Sequence, residues 1–194
     1  MSQNVDLRVR RTREQIRDAF MALLLERPFE QITVSAITQQ ARINRATFYR
    51  HYTDVNDLAA RLTDLLFADI ATHLEEQGTH STAASWQILF THVAEYATFY
   101  KAMMGPGGIP GFRERVETAV AAQMADLLPT FGFDNTRLRL PQTLAVRYLA
   151  AAQVGVIQWW LENEMPVTAA TAAEYLINLH LHGGWWALGL EETA

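Results

Sequence analysis

The amino-acid sequence predicts an all-α chain of about nine helices. Apolar residues recur at the three- and four-residue spacing of amphipathic helices along most of the chain, whereas the alternation typical of strands is absent. Proline and glycine interrupt these stripes and divide them into separate helices. The pattern also predicts two domains, a small one over residues 1–53 and a larger helical one over residues 54–194.

The first helix is predicted from Thr12 to Arg27. Thr12 and Gln15 have the T-x-x-Q spacing of a capping box, in which each side chain bonds a backbone N–H at the helix start. The apolar stripe of this helix consists of Ile16, Ala19, Phe20, Leu23 and Leu24, and Pro28 ends it. Residues 1–10 are polar and are predicted to be mobile.

Two short helices joined by a tight turn are predicted next, Val34–Ala41 and Arg45–Tyr52. Thr33 and Asn44 precede them. The side-chain oxygen of each of these residues can accept a hydrogen bond from an unpaired N–H of the following helical turn. This segment is therefore predicted to be a helix-turn-helix unit.

The surface of the second short helix carries cations, hydroxyls and one small residue. No carboxylate lies between Glu30 and Asp54. Such a surface suits a phosphate backbone and the edges of bases. The alternative is an ordinary helical hairpin, which would normally carry Glu and Asp as well. The composition favours a DNA-binding unit.

The rest of the chain is predicted to hold longer helices separated by glycine- and proline-rich breaks. They run from after Asp54 to Glu76, from Ser81 or Thr82 to a break before Phe99, from Phe112 to Leu128, from Pro141 to Glu164, and from Thr168 or Thr171 to Leu188. The breaks Gly105–Gly111 and Pro129–Leu140 are predicted to be connectors.

Charge divides unevenly along the chain. Residues 1–52 contain nine Arg and five acidic residues, a balance of +4, whereas residues 53–194 contain seven Lys or Arg and sixteen acidic residues, a balance of −9. Only the N-terminal part is therefore expected to bind a polyanion. The chain has no cysteine, which excludes disulfides, Cys-ligated zinc and thiol nucleophiles. Neither a signal peptide nor an apolar membrane span is apparent, so a soluble cytoplasmic protein is expected.

Motifs of common enzymes are absent. The sequence contains neither H-E-x-x-H nor G-x-S-x-G nor a phosphate-binding glycine loop. His180 and His182 are two residues apart and fall on nearly opposite faces of a helix, which disfavours a shared metal ion. We expect no enzymatic activity, no metal site and no cofactor.

The sequence resembles the TetR family of bacterial transcription regulators. The resemblance is carried by Arg11-Thr12-Arg13, Ile32-Thr33-Val34, Ile37, Ala41, the stretch from Asn44 to Tyr52, and Asp57-Leu58. Phe99–Gly105 and Trp159–Pro166 resemble a subgroup of poorly characterised regulators. The resemblance implies a homodimer that places two recognition helices in successive major grooves of a palindromic double-stranded DNA operator. It also implies a C-terminal pocket for a small-molecule effector.

Two positions depart from the family pattern. Arg42 occupies the turn position that usually holds Gly, and it must therefore tolerate the turn geometry, although its side chain could reach DNA. Val55 replaces a Lys near the start of the fourth helix, so one expected phosphate contact is missing.

The candidate DNA-binding residues are Thr33, Arg42, Asn44, Arg45, Ala46, Thr47, Tyr49, Arg50 and His51, together with Arg8, Arg10 and Arg11 of a possible minor-groove arm. Tyr49 and Thr47 are expected to bond phosphate, while Arg45 and Arg42 could grip guanine in a bidentate manner. Tyr49 could instead be an aromatic residue that only packs, and Thr47 an ordinary helix hydroxyl. Arg45 and Arg42 could contact phosphate only, and the N-terminal arginines could belong to a solvated tail instead of an arm.

The candidate ligand-binding residues are large and adaptable: Trp86, Phe90, Phe99, Tyr100, Met103, Met104, Phe112, Met124, Tyr148, Gln153 and Trp159. The alternative is that they form ordinary core. The candidate dimer-interface residues are Gly155, Trp160, Gly183, Gly184 and Trp186. Adjacent tryptophans differ by 100° around a helix, so one ring of each pair can face the core and the other the partner; which ring does so is left open. Gly183-Gly184 could instead be a helix end or kink.

The predicted function is that of a repressor whose operator affinity is modulated by a small molecule bound in the C-terminal domain. The alternative is a helical adaptor or coactivator that binds a protein partner instead of a promoter.

Overall fold

The computed structural model describes residues 2–76, 82–128 and 138–188. These residues form nine α-helices and one short 3-10 helix: α1 (Ser2–Glu26), the 3-10 helix (Phe29–Gln31), α2 (Val34–Gln40), α3 (Arg45–Tyr49), α4 (Val55–Glu76), α5 (Thr82–Glu95), α6 (Ala97–Met104), α7 (Phe112–Leu127), α8 (Gln142–Glu162) and α9 (Ala169–Ala187). No strand occurs within these ranges, and the all-α prediction is confirmed. None of the helices described is both long and apolar enough to span a membrane.

Helix α1 begins at Ser2, ten residues before the predicted start, and the prediction that residues 1–10 are mobile is wrong for residues 2–10. Thr12 does not cap the helix, because its hydroxyl donates to the carbonyl oxygen of Arg8 at 2.9 Å, one turn earlier. Arg10 pairs with Glu14 at 3.0 Å across one turn. Since no glycine or proline precedes residue 28, nothing stops the helix from extending towards the N-terminus.

The chain forms two compact units. The first, here called the head unit, comprises Met1–Asp69 and Thr98–Ile109. The ring of Phe20 packs edge-on against that of Phe29 at 6.2 Å. Ile37, Phe48 and Leu58, each at most 1% exposed, complete the core of this unit. The predicted domain boundary after residue 53 stays a prediction, and the compact units divide within α4.

Helix α6 belongs to the head unit although it follows α5 in the chain. Phe99, Tyr100 and Met103 are buried. In the loop after α6, a Cβ placed on Gly107 would lie 3.1 Å from Cδ of Glu30, so this loop packs against the 3-10 helix. The loop predicted at Gly105–Gly111 is present, with Gly107 at φ 83° and Gly111 at φ 75°.

The second unit, here called the body unit, comprises Ile70–Ala97 and Pro110–Ala194. Helix α5 packs on α9, and α8 packs on both α7 and α9. The ring of Phe90 meets that of Trp160 edge-on at 5.2 Å. The indole N–H of Trp160 donates to the carbonyl oxygen of Val167 at 2.8 Å, so the only polar atom of this buried side chain is satisfied.

Local features of the backbone and of one side chain set the end of α8 and the start of α9. Helix α8 stops at Glu162, because Glu164 and Met165 adopt left-handed conformations with φ of 58° and 54°. Helix α9 takes the earlier of its two predicted starts, since the hydroxyl of Thr168 accepts from the N–H of Thr171 at 3.2 Å. Gly183 breaks the helical geometry of α9 with φ 80° and ψ 174°, which agrees with the kink considered for this position.

Candidate nucleic-acid interface

Two side-chain caps begin the helices of the helix-turn-helix unit. The hydroxyl of Thr33 accepts a hydrogen bond from the N–H of Ala36 at 3.2 Å. Oδ1 of Asn44 accepts from the N–H of Thr47 at 2.7 Å. Caps of this kind stabilise a helix by about 1 kcal/mol, which matters for α3 because it has only five residues. Both predicted caps are present.

The turn between α2 and α3 is closed by backbone bonds and one strained residue. The N–H of Ile43 donates to the carbonyl oxygen of Thr38 at 3.0 Å. Arg42 has φ 55°, which lies in the left-handed region. Such a conformation was expected here, because the family pattern usually has Gly at this turn position. An L-residue pays about 1 kcal/mol there, since its Cβ crowds the backbone. The side chain of Arg42 is exposed and free to reach outward.

Helix α3 is anchored by Phe48, which has no exposed surface. The ring of Phe48 packs against that of Tyr52 at 5.6 Å and meets the edge of Tyr49 at 5.7 Å. Tyr49 nevertheless leaves half of its surface, 51%, exposed to solvent. The aromatic ring is thus held in position from one side, and its hydroxyl is presented on the surface.

Thr47 and Arg50 are linked on the same face of α3. Nη2 of Arg50 donates to the hydroxyl oxygen of Thr47 at 2.9 Å. Because that oxygen accepts from Arg50, the hydroxyl proton of Thr47 remains available to donate to a phosphate oxygen. Arg42, Asn44, Arg45, Ala46, Tyr49 and Arg50 are exposed, and Thr33 is exposed at the start of α2.

His51 is partly buried where α3 ends. Burial lowers its pKa below the ordinary value, and the charges of Arg13 and Arg50 lower it further. The imidazole is therefore neutral near pH 7 and can donate only one N–H.

Arg8, Arg10 and Arg11 lie in the first turns of α1 and are exposed. In this helical form they cannot enter a minor groove as an extended arm, since a helix is about 10 Å wide and the groove only about 6 Å. Arg10, Arg13 and Arg17 instead share one face of α1. Together with Tyr52 they line a crevice of about 440 Å³. Arg13 and Arg17 are absent from the predicted site, although the successive spacings of three and four residues along Arg10, Arg13 and Arg17 place all three on one helix face.

The predicted ligand-binding residues fall into both units. Phe99, Tyr100, Met103 and Met104 lie on α6 in the head unit, whereas Trp86, Phe90, Phe112, Met124, Tyr148, Gln153 and Trp159 lie in the body unit. Within the body unit, Phe90, Phe112 and Gln153 are buried, but Tyr148 is 63% and Trp159 44% exposed. Those two exposed rings face away from the interior in which a pocket was expected.

Of the adjacent pair Trp159 and Trp160, the second is buried in the chain and the first is exposed. Trp160, expected at a dimer interface, is 2% exposed, and its indole N–H is bonded within the chain. Trp159, expected at a ligand, lies on the surface. Gly155, Gly183 and Gly184 each face open space, since an added Cβ would meet nothing within 4 Å. The side chain of Trp186 lies outside the described part of the structure.

The body unit also contains a group of buried polar atoms that the sequence analysis did not assemble. Nε1 of Trp86, Oε1 of Gln153 and Nε2 of His180 are shielded from solvent and have no hydrogen-bond partner. His180 was considered only as a metal ligand with His182. Within the described ranges, no cluster of three or more His, Asp or Glu side chains could hold a metal ion.

Two family models match the chain. One, described as bacterial regulatory proteins of the tetR family, covers residues 16–62, and the other, described as a transcriptional regulator C-terminal region, covers residues 84–181. A stretch of 71 residues is 41% identical to the uncharacterized HTH-type transcriptional regulator YxbF of Bacillus subtilis (strain 168). That match covers 36% of this chain but only 19% of the relative.

Solved structures with the same fold cover most of the chain. The dihydroxyacetone kinase operon activator DhaS is 21% identical, with a TM-score of 0.64 over 88% of this chain and 94% of that one. The transcriptional regulator FadR from Bacillus subtilis, solved in complex with stearoyl-CoA, is 15% identical, with a TM-score of 0.66 over 88% of this chain and 98% of that one. At these identities the likeness establishes the fold alone.

Proposed function

Because this chain belongs to the TetR family of DNA-binding transcription regulators, which are not enzymes, we propose that it is a repressor controlled by a small molecule. In this proposal a homodimer binds a palindromic operator through α3 of each protomer. An effector bound in the body unit changes the affinity of the dimer for that operator.

The exposed face of α3 carries the proposal. It offers the guanidinium of Arg45, the phenol of Tyr49 and the available hydroxyl proton of Thr47, and the helix is held rigid by the buried ring of Phe48. No carboxylate occurs on this face. Guanidinium groups and hydroxyls at fixed positions are suited to guanine edges and phosphate oxygens.

The homodimer is supported by apolar side chains exposed on α8. Leu144, Tyr148 and Trp159 are 54%, 63% and 44% exposed, and their spacing places them with Gly155 along one stripe of the helix. An exposed apolar stripe on a helix is typical of a protein–protein interface, and the open space at Gly155 would admit a close neighbour. Tyr148→Glu is expected to shift the protein to monomers in analytical ultracentrifugation, while Tyr148→Phe keeps the dimer. An unchanged dimer in Tyr148→Glu would place the interface elsewhere.

DNA binding is tested by fluorescence anisotropy with labelled DNA from upstream of the gene and with a scrambled control, at two salt concentrations. Preferential binding to the native fragment that weakens with salt through counterion release is expected. Arg45→Ala should cost about 1–3 kcal/mol if the contact is bidentate, whereas Arg113→Ala, an exposed arginine of α7, should not weaken binding. Equal affinity of Arg45→Ala and wild type would refute the assignment of α3.

Activation through a protein partner is the second candidate. Activation itself, without regard to a partner, is favoured by one observation: DhaS, a structure of the same fold, is described as an operon activator. A reporter gene behind the bound promoter separates the two candidates, because loss of the regulator raises expression under a repressor and lowers it under an activator. Pull-down of a partner in the absence of promoter binding would support the adaptor.

A further inference from the structure

Nε1 of Trp86, Oε1 of Gln153 and Nε2 of His180, three of the buried polar atoms without hydrogen-bond partners in the described part of the body unit, come from three different helices. Trp86 lies on α5, Gln153 on α8 and His180 on α9. Buried polar groups are almost always hydrogen-bonded, since leaving one unpaired costs about 1–3 kcal/mol. Three such groups in one unit therefore require a bonding partner that is not part of the chain.

These groups are close together. The rings of Trp86 and His180 are 5.5 Å apart and meet edge-on. His180 also bonds the backbone of Leu149 on α8. Gln153 is four residues after Leu149, so it lies on the same face of α8, with its Cβ about 5–6 Å from that of Leu149. All three groups thus converge where α5, α8 and α9 meet.

Each group has a defined hydrogen-bonding character. The indole N–H of Trp86 can only donate, and the amide oxygen of Gln153 can only accept. Because Nε2 is the unpaired nitrogen of His180, Nδ1 must be the atom that donates to Leu149, which leaves Nε2 as an acceptor in the neutral ring. Burial lowers the pKa of His180 and keeps the ring neutral near pH 7. The site offers one donor and two acceptors.

The surroundings disfavour a charged ligand. Among the described residues of the body unit, the buried side chains include no Lys, Arg, Asp or Glu. An anion placed there would lose its hydration without gaining a counter-charge. The ring pair Phe90–Trp160 supplies a nearby aromatic wall, since Phe90 follows Trp86 by one turn of α5.

We propose that Trp86, Gln153 and His180 form the polar subsite of the effector pocket, and that it binds a neutral ligand with an aromatic or apolar body and a hydroxyl or carboxamide group. A carboxamide can satisfy all three groups, because its oxygen accepts from the indole of Trp86 while its two N–H groups donate to His180 and Gln153. A single hydroxyl satisfies Trp86 and one of the two acceptors. The role as an effector pocket rests on the proposed ligand-controlled function, whereas the chemistry of the subsite does not.

Phenol, toluene and benzoate are the matched probes, since they share one ring and differ in a neutral hydroxyl, a methyl and a carboxylate. Each is titrated to about 1 mM into ¹⁵N-labelled full-length protein, and the tryptophan indole N–H resonances are followed by NMR. Trp86→Phe assigns the reporter resonance by its disappearance, and the indole resonances of the four other tryptophans serve as the control. Phenol should move the Trp86 resonance and bind about ten-fold more tightly than toluene or benzoate.

Gln153→Met and His180→Phe remove one acceptor each and keep similar shapes. Both should lower the preference of the protein for phenol over toluene, and thermal melting verifies that the variants fold. Equal binding of benzoate or toluene to wild type would overturn the proposal. So would an unmoved Trp86 resonance at about 1 mM phenol, which would mean that internal water satisfies the three groups. Operator binding is measured separately, without ligand. If the protein does not bind an operator, the repressor proposal fails, but the NMR titration still shows whether the subsite binds phenol.

Discussion

Two variants of Asn44 test separately whether this residue stabilises α3 as a cap and whether it lies at the DNA interface. The side chain of Asn44 is exposed, and its only hydrogen bond in the described structure is the 2.7 Å contact from the N–H of Thr47. Asn44→Ala removes the side-chain acceptor and leaves that N–H with only the backbone carbonyl oxygen of residue 44, at 3.0 Å. The expected loss of stability is about 1 kcal/mol. For a chain of this length, that corresponds to a fall of about 2–4 °C in Tm.

Asn44→Asp is the matched variant. A carboxylate retains the acceptor and interacts favourably with the helix N-terminus, so the Tm should stay near that of wild type or rise. The same carboxylate introduces negative charge into a surface that has none, and operator affinity should fall about ten-fold at low salt. Tm is measured by circular dichroism and affinity by anisotropy. An unchanged Tm in Asn44→Ala would refute the capping argument, and full operator affinity in Asn44→Asp would mean that this face does not meet DNA.

Three further outcomes are expected. Tyr49→Phe should weaken operator binding by about 1 kcal/mol, because it removes one phosphate hydrogen bond and keeps the ring packing; unchanged binding in the anisotropy assay would remove the hydroxyl from the interface. Gly107→Ala should lower the urea midpoint more than Gly111→Ala, since both positions have positive φ but only the new Cβ of Gly107 would crowd Glu30; equal losses would show that this contact is unimportant. His180 has a folded-state pKa below its ordinary 6.5, so the unfolded chain binds the proton first. Its contribution to stability is present above about pH 6.5 and is lost as pH falls through the folded pKa, and His180→Gln should flatten that decline in melting experiments.

The features that the sequence predicted well are those decided by neighbouring residues. The caps of Thr33 and Asn44 and the turn at Arg42 each depend on a few adjacent positions, so the residue types alone predict them. Helix boundaries marked by Pro141 and by the glycines after Met104 were recovered for the same reason.

The features that the sequence did not predict depend on distant contacts or lack a local marker. Trp159 and Trp160 are adjacent and of the same residue type, and Trp160 is the one that packs against Phe90 and donates to Val167, contacts that the local sequence does not mark. The pairing of His180 with Trp86 joins residues about half the chain apart, which periodicity cannot reveal. Helix α1 extends N-terminally of Thr12, because no residue before Thr12 stops a helix. The T-x-x-Q pattern at Thr12 was therefore wrongly taken as the start of the helix.

The left-handed conformation of Arg42 sets two kinds of selection against each other. Glycine would adopt φ 55° without the crowding that an L-residue suffers, so a screen for thermal stability should favour Arg42→Gly. A screen for operator binding should keep the guanidinium if it reaches DNA. A substitution in this turn would then raise the thermal stability of the regulator only by lowering its affinity for the operator. Variants recovered from the two screens would differ first at residue 42.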